Sequence, residues 1–504
     1  MIADELKILQ ENAQKSFAAI QTYIEGKALT QELHEIEQQL RRLLQRLGLN
    51  LLEQAVARRG TGKTSEPVYG PDGQPLPYQG IETVRYLSIF GELKIRRAYY
   101  WERNRQGVLP LDAALNLPEK KFSYLLQQWT QSLAVEMPYE KATAHVAEWL
   151  ELPLHHQSVE QVALKTATAV DAFYQEQPAP KPETEGSHLA VSADGKGVRI
   201  REAERSPQKD KVRRGKGEKR GTKKEAVVTA DFSFKPLART PEEATKALLN
   251  TFTDAERQAA KETRQERRQK ALEAPRAALN KHVRATLNGQ DQAFEYLAQR
   301  VKKRDPNGEK KIVVLVDGAH RLEKGLSAVF KEQQLEQQID AIILDPYHVT
   351  EYLWKAGNGL YGEKEPQRLP WVESHLLTIM QGQAGHVIDD LEQTITQKKL
   401  KGARRHALQS AITYFTNHQH MMQYDEYLAK GYPIATGIVE GACGSLVKNR
   451  MEQSGMRWSV SGATAMLDEL AVKCNGDWQP FWTYHINREK ARLYADGYQT
   501  ALAA

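Results

Sequence analysis

The sequence predicts an α/β core preceded by helical modules, and three observations carry that prediction. Short apolar runs at His188–Ala193, Lys311–Val316 and Ala341–Leu344 each end in an aspartate, as buried strands that deliver a polar group do. Residues 176–187, with Pro178, Pro180, Pro182 and several glutamates, form a linker, and the pattern changes from helical to α/β after it. The first 60 residues carry leucines at helical spacing. The 504-residue length suggests roughly three domains at about 150 residues each. No apolar run approaches the roughly 18 residues of a membrane span. The N-terminus lacks the basic-then-apolar order of a signal peptide. Two cysteines, Cys443 and Cys474, provide neither a disulfide framework nor a four-cysteine zinc site. The expectation is a soluble, cytoplasmic protein with no membrane partner.

Taken in order, residues 1–60 form an N-terminal helical region. Leu33, Ile36, Leu40, Leu43 and Leu47 make a short heptad seam that either pairs two chains or packs on its own domain. Residues 61–130 form a basic hairpin module. Thr83 to Phe90 and Leu93 to Trp101 are its strands, Gly91-Glu92 its turn, and Lys94, Arg96 and Arg97 its charge. Residues 131–175 hold two short helices with a tight join, the second capped by Ser158 with Gln161 three residues on. They read either as a helix-turn-helix, with Gln161, Lys165 and Thr166 facing a groove, or as an ordinary helix pair.

Residues 188–349 form the first part of the α/β region. Val198–Arg201 and Glu225–Ser233 are expected as antiparallel neighbours of the first strand, and a charged helical stretch over 241–302, broken near Pro275. Residues 350–432 read as a helical insertion, 433–475 as a further helix returning to the core, and 476–504 as an aromatic-rich C-terminal tail.

The formal net charge of +6 says little until it is placed. Segment 201–224 holds eleven basic and four acidic residues, net +7, so the remainder of the chain is nearly neutral. With three glycines and almost no apolar side chains, this segment cannot join a core. It reads as a basic arm between two strands, with Arg213, Arg214, Lys216, Lys219 and Arg220 placed to grip phosphates. Lys261 to Arg284 is a second basic stretch.

Three acids stand out by position. Asp194 and Asp317 close apolar strands, where ligands gather in α/β sheets. A carboxylate so delivered is costly unless a cation meets it. Asp-Gly is also a common turn dipeptide, which is the plainer reading of either site alone. Glu440 lies on a helix that, at 100° per residue, places it with Gly444, Val447 and Met451. Gly441 and Gly444 weaken that helix, and close approach to the sheet or to a ligand would explain them. Two strand aspartates and a helix glutamate are the set that a two-metal phosphoryl-transfer site uses.

These elements resemble the bacterial insertion-sequence transposases of the Kra type, a DDE family distantly similar to Mutator-like transposases. The resemblance spans roughly residues 80–485. It rests on Val191-Ser192-Ala193-Asp194-Gly195-Lys196-Gly197, Val316-Asp317-Gly318-Ala319, Asp345-Pro346-Tyr347-His348-Val349 and Gly437-Ile438-Val439-Glu440. Lys448-Asn449-Arg450-Met451, Gly455-Met456-Arg457-Trp458 and Gly476-Asp477-Trp478 complete it. The resemblance implies a ribonuclease H-like core with a helical insertion. Asp194, Asp317 and Glu440 are then both the catalytic acids and the ligands of two Mg²⁺ ions, with Mn²⁺ able to substitute. Asp345 and His348 match an accessory element, although His348 also fits as a cap or packing residue under the insertion.

The resemblance further implies cleavage at element ends and strand transfer into target DNA, by a homo-oligomer, a dimer or larger, bound to terminal inverted repeats and associated with the nucleoid. Lys196, Lys448, Arg450 and Arg457 are candidates for phosphate contacts. Trp458 either stacks on an unpaired base or packs in the core. The paired cysteines that many relatives carry after the basic hairpin are missing at Tyr100–Arg105, so no zinc is expected. Two other readings keep the fold: a domesticated, non-catalytic DNA-binding protein, and a ribonuclease H-like nuclease without strand transfer.

Overall fold

The computed structural model describes residues 2–204, 223–251 and 278–494. The chain divides into two compact units, Met1–Glu176 with Gly476–Ala504, and Gln177–Asn475. No helix among the described residues is long and apolar enough to cross a membrane.

The first unit opens with a helical hairpin, α1 (Ile2–Glu25) and α2 (Leu33–Arg58). Ala13, Ser16, Ile20 and Tyr23 are buried, and their spacings of three and four put them on one face of α1. A reciprocal Glu32–Glu35 capping box starts α2. No residue of α2 is fully buried, and Leu33, first of the heptad leucines, is 71% exposed. A small ribbon, β1 (Val68–Tyr69) and β2 (Pro75–Leu76), precedes the long hairpin β3 (Tyr78–Ser88) and β4 (Gly91–Tyr100). The hairpin pairs Ser88 with Gly91, so Ile89-Phe90 is the turn and Gly91 begins β4, two residues earlier than the glycine suggested. Its cations are matched within the unit, Arg97 by Glu82 at 2.6 Å and by Asp112, and Arg96 by Glu5. Burial pushes the Asp112 carboxyl up to about 6 against the pull of Arg97.

Helices α3 (Pro110–Leu115), α4 (Tyr124–Ala134), α5 (Tyr139–Leu150), α6 (His156–Ala167) and α7 (Val170–Glu176) follow. The helix pair is present. Thr166 is buried, Lys165 is paired with Glu119 and with Glu489 at 3.0 Å, and only Gln161 is exposed. The N-cap is His155, with Ser158 inside the first turn. The C-terminal helix, Trp478–Tyr494, belongs to this unit and sets Phe481 edge-on to Phe173.

The second unit is built on a five-stranded mixed sheet in the order β7-β6-β5-β8-β9. Its strands are β5 (His188–Arg199), β6 (Lys223–Phe234), β7 (Leu279–Thr286), β8 (Lys311–Val316) and β9 (Ile339–Leu344). β5, β6 and β7 form an antiparallel meander, and β5, β8 and β9 run parallel. In β8 the apolar, mostly β-branched run Ile312–Val316 is buried throughout, which marks a strand covered on both faces. Two features differ from expectation. β5 does not stop at Asp194. It continues to Arg199, paired along its whole length with β6, so Val198 and Arg199 extend β5 instead of forming a neighbour. Part of the charged stretch expected as helix is strand β7. α8 (Pro241–Leu249) precedes it, and residues 252–277 lie outside the described residues.

α9 (Gln290–Arg304) packs on β6 and on α10 (His320–Glu332). It closes a buried ion network in which Asp231 of β6 receives Arg300 at 2.7 Å and Arg304 at 2.7 Å. Arg304 also binds Glu185 at 2.7 Å, and Lys310 reaches Glu185 at 3.2 Å.

The stretch between β9 and residue 432 is helical throughout, with α11 (Pro346–Tyr361), α12 (Arg368–Met380), α13 (Ala384–Gln397), α14 (Gly402–His418) and α15 (Tyr424–Ala429). Its apolar side chains, among them Leu353, Leu376, Leu408 and Phe415, join one continuous core with Val313 and Leu315 of the sheet. Short helix α16 (Gly437–Ala442) then lies against β5 and β6, and α17 (Val460–Cys474) packs on β7.

Candidate active site

The β5–β8 register ends with Ser192 opposite Leu315. Asp194 and Asp317 each lie two residues beyond that last pair. Asp194 sits inside β5, and Asp317 immediately follows β8. Asp194 accepts from the Gly195 N–H at 2.6 Å and from the Cys443 thiol at 3.0 Å. Burial, and then the Asp194 carboxylate, push that thiol far above its usual range, so it stays a donor. Asp317 accepts from the Ala319 N–H at 2.8 Å. The turn after it is clamped from α14, where Tyr414 Oη donates to the Asp317 carbonyl at 3.0 Å and His418 Nε2 lies 3.2 Å from the Gly318 carbonyl. Gly318 has φ +85°, and a Cβ there would meet Tyr414 Oη at 2.8 Å, so this turn requires glycine.

Asp345 is the N-cap of α11 and only 1% exposed. It accepts from the Tyr347 N–H at 2.7 Å, from the Thr436 N–H at 2.8 Å and from the Thr436 hydroxyl. The same hydroxyl oxygen is 3.1 Å from Glu440 Oε1, and His348 Nε2 is 3.9 Å from that atom. Asp345 therefore ties together the two ends of the helical insertion and fixes the turn that launches α16 with Glu440. Cys443, three residues after Glu440, reaches Asp194. These bonds gather Asp194, Asp345, His348 and Glu440 around one end of the sheet, with Asp317, like Asp194, two residues past the last β5–β8 pair.

The surroundings of Glu440 differ from expectation. Residues Cys443–Lys448 form a π-helical turn, which carries more residues per turn than an α-helix. The 100° projection fails there. Val447 and Met451 are buried, while the Glu440 side chain is 45% exposed. The glycines are not explained by packing either, since a Cβ on Gly437, Gly441 or Gly444 would meet nothing within 4 Å. The face beside Glu440 is open space.

Lys196 is half-buried two residues beyond Asp194, and Lys448 and Arg457 are exposed. Arg450 and Trp458 are not presented to a ligand. Arg450 is 2% exposed, with its guanidinium 4.9 Å over the Trp458 ring and bonded to Met456 Sδ. Trp458 is buried, donates to the Met451 carbonyl and bridges to Ile200 beyond β5. Arg213, Arg214, Lys216, Lys219 and Arg220 lie outside the described residues. The described ends of that arm are held by the 452–460 segment, where Lys223 meets Glu452 at 2.5 Å and the Val460 N–H donates to Glu204 at 2.7 Å.

Sequence reasoning missed Thr436, Cys443, Tyr414 and Glu469. Cys443 carried a signal, being one helical turn after Glu440. Glu469 carried none. It is fully buried, its carboxyl oxygens have no hydrogen-bond partner among the described residues, and burial pushes its pKa up to about 8.

No group of three His, Cys, Asp or Glu side chains among the described residues converges as a ready-made cation cage. The donor set nevertheless suits a hard divalent ion. Mg²⁺ takes carboxylate oxygens and commonly uses only one or two from the protein, with water and phosphate completing its shell. Asp194 and Asp317, each two residues past the last paired position of β5 and β8, are carboxylates of the type that need calls for.

Residues 29–233 match the model of an uncharacterised protein family (UPF0236), a span that takes in Asp194 but stops before Asp317, Asp345 and Glu440. None of the curated proteins matches the chain.

Proposed function

We propose that this chain is a DDE-type DNA transposase of the Kra type, with a ribonuclease H-like core that cleaves DNA at element ends and joins them to target DNA. The observation that carries the reading is the sheet. An antiparallel meander β5-β6-β7 is continued by parallel β8 and β9, with one aspartate in β5 and one directly after β8, each two residues past the last β5–β8 pair, and a glutamate on a helix that packs on β5 and β6. The open space beside Glu440 supports it, because a phosphodiester must reach the acids.

Asp194, Asp317 and Glu440 would hold Mg²⁺, which activates the attacking oxygen and offsets charge on the phosphate when bound. The chain's own part is positioning, since phosphoryl transfer needs little covalent help. Cys443 and the Gly195 N–H fix the Asp194 carboxylate. Tyr414 and His418 fix the Asp317 turn. Asp345, through Thr436, fixes α16 and hence Glu440. Lys196, two residues beyond Asp194, and exposed Lys448 and Arg457 are the cations we assign to phosphate contacts.

The test is strand cleavage of DNA carrying the element's ends, in Mg²⁺, by the wild type and by Asp317→Asn. Losing a direct carboxylate should cost more than the roughly 10–100-fold typical of an outer-shell partner. Cleavage by Asp317→Asn at the wild-type rate refutes the site. Cleavage without joining favours a nuclease, and DNA binding without cleavage favours a domesticated protein.

A further inference from the structure

The helical insertion carries a charged surface that the site above does not use. Residues 398–405, at the turn between α13 and α14, include Lys398, Lys399, Lys401, Arg404 and Arg405 and no acid. All five cations are exposed. Lys398 lies 5.7 Å over the Tyr361 ring. Among the described residues the other four form no ion pair. A merely solvated helix face mixes both signs of charge, and this one does not.

A polar groove begins where the basic turn ends. It is lined by His406, Gln409, Ser410, Thr413, Tyr414 and Asn417, with Tyr352 of α11. These α14 positions recur every three or four residues, on the face opposite buried Leu408, Ala411, Ile412 and Phe415. Tyr352 and Tyr414 stack at 4.1 Å along the groove. Glu351, next to Tyr352, is offset by Lys355 at 3.9 Å. The Ser410 and Thr413 hydroxyls donate back to helix carbonyls, so Gln409, Asn417, His406 and the Tyr352 hydroxyl are the donors left for a ligand. Tyr414 links the groove to the site, its hydroxyl donating to the Asp317 carbonyl at 3.0 Å.

One rigid helix therefore joins an unpaired basic turn to the acid site. We infer that this face of α14, with the turn before it, is a track for the DNA backbone leading to the cleavage site, an inference that rests on the function proposed above. From Arg405 to Tyr414 the helix rises about 14 Å at 1.5 Å per residue. At 3.4 Å per nucleotide along one strand that is about four nucleotides. The basic turn thus meets phosphates about four nucleotides from the bond being cut. The turn lacks exposed large apolar side chains, which argues against a membrane surface.

The test uses the full chain and a duplex DNA of about 30 base pairs, with affinity read by fluorescence anisotropy across a salt series. A variant combining Lys399→Ala, Lys401→Ala, Arg404→Ala and Arg405→Ala should lower the slope of log affinity against log salt by about 3 to 4, close to one per lost phosphate contact. A second variant, Gln409→Glu with Asn417→Asp, leaves those cations in place and should weaken binding through repulsion along the groove. Wild-type binding to DNA with unchanged affinity and slope in both variants overturns the track and leaves the proposed function standing. Wild-type protein that binds only the matching RNA duplex, or no nucleic acid, overturns both.

Discussion

Two carboxylate clusters in the same unit are treated in opposite ways. Asp231 and Glu185 are buried, and Arg300, Arg304 and Lys310 meet their oxygens at 2.7 to 3.2 Å. Burial alone would raise the Asp231 pKa, but Arg300, His282 and Arg304 hold it down at about 2. Asp194, Asp317, Asp345 and Glu440 receive a thiol, backbone N–H groups and a hydroxyl. No lysine or arginine among the described residues pairs with any of them. One set of acids is neutralised by cations of the chain and the other is left to weaker donors, and under the proposed function the second set is the one that would meet a cation from outside. The first cluster locks interior strand β6 to α9.

The sharpest way to break the contrast is to remove an acid from the neutralised cluster. Asp231→Ala removes the carboxylate that meets Arg300 and one of the two that meet buried Arg304, and should destabilise the protein by about 3–5 kcal/mol in denaturant unfolding. Asp317→Asn should leave the unfolding midpoint close to wild type. Equal losses would erase the distinction.

The pH dependence sharpens it further. The native pKa of Asp231 lies below its unfolded value, so its contribution is fully present above about pH 4 and is lost as pH falls toward 2. That loss is roughly 2 kcal/mol, and it should be missing from the acid limb of Asp231→Asn. The smallest effect falls on the link between insertion and site. Thr436→Val keeps the backbone bond to Asp345 but removes the hydroxyl, and should cost about 1–2 kcal/mol of stability. It should also reduce cleavage, since Glu440 loses its neighbour. Full activity with unchanged stability would show that Thr436 positions nothing.

The two parallel strands β8 and β9 were legible because uninterrupted runs such as Ile312–Val316 suit only a strand buried on both faces. Asp317 and Asp345 followed from them. Asp194 was identified, but its setting was not. Gly195-Lys196-Gly197 has the composition of a turn, yet β6 continues to pair with it, and a Cβ on either glycine would press on Glu225 or Lys223 at 2.7 Å. β7 was hidden because Lys281 and Arg284 give it the charge of the helix expected there, while tertiary pairing with β6 decides its state. Arg450 looked exposed beside Lys448. The π-turn before it breaks the regular period, and its burial against Trp458 depends on contacts that no local pattern encodes.

The most direct test of the central claim, that these acids are kept for an external cation, is Mn²⁺ binding to the full-length protein by titration calorimetry. The expected result is binding by the wild type, lost in Asp194→Asn and in Asp317→Asn and retained in Gln409→Glu. Equal binding by the wild type and both aspartate variants would contradict it.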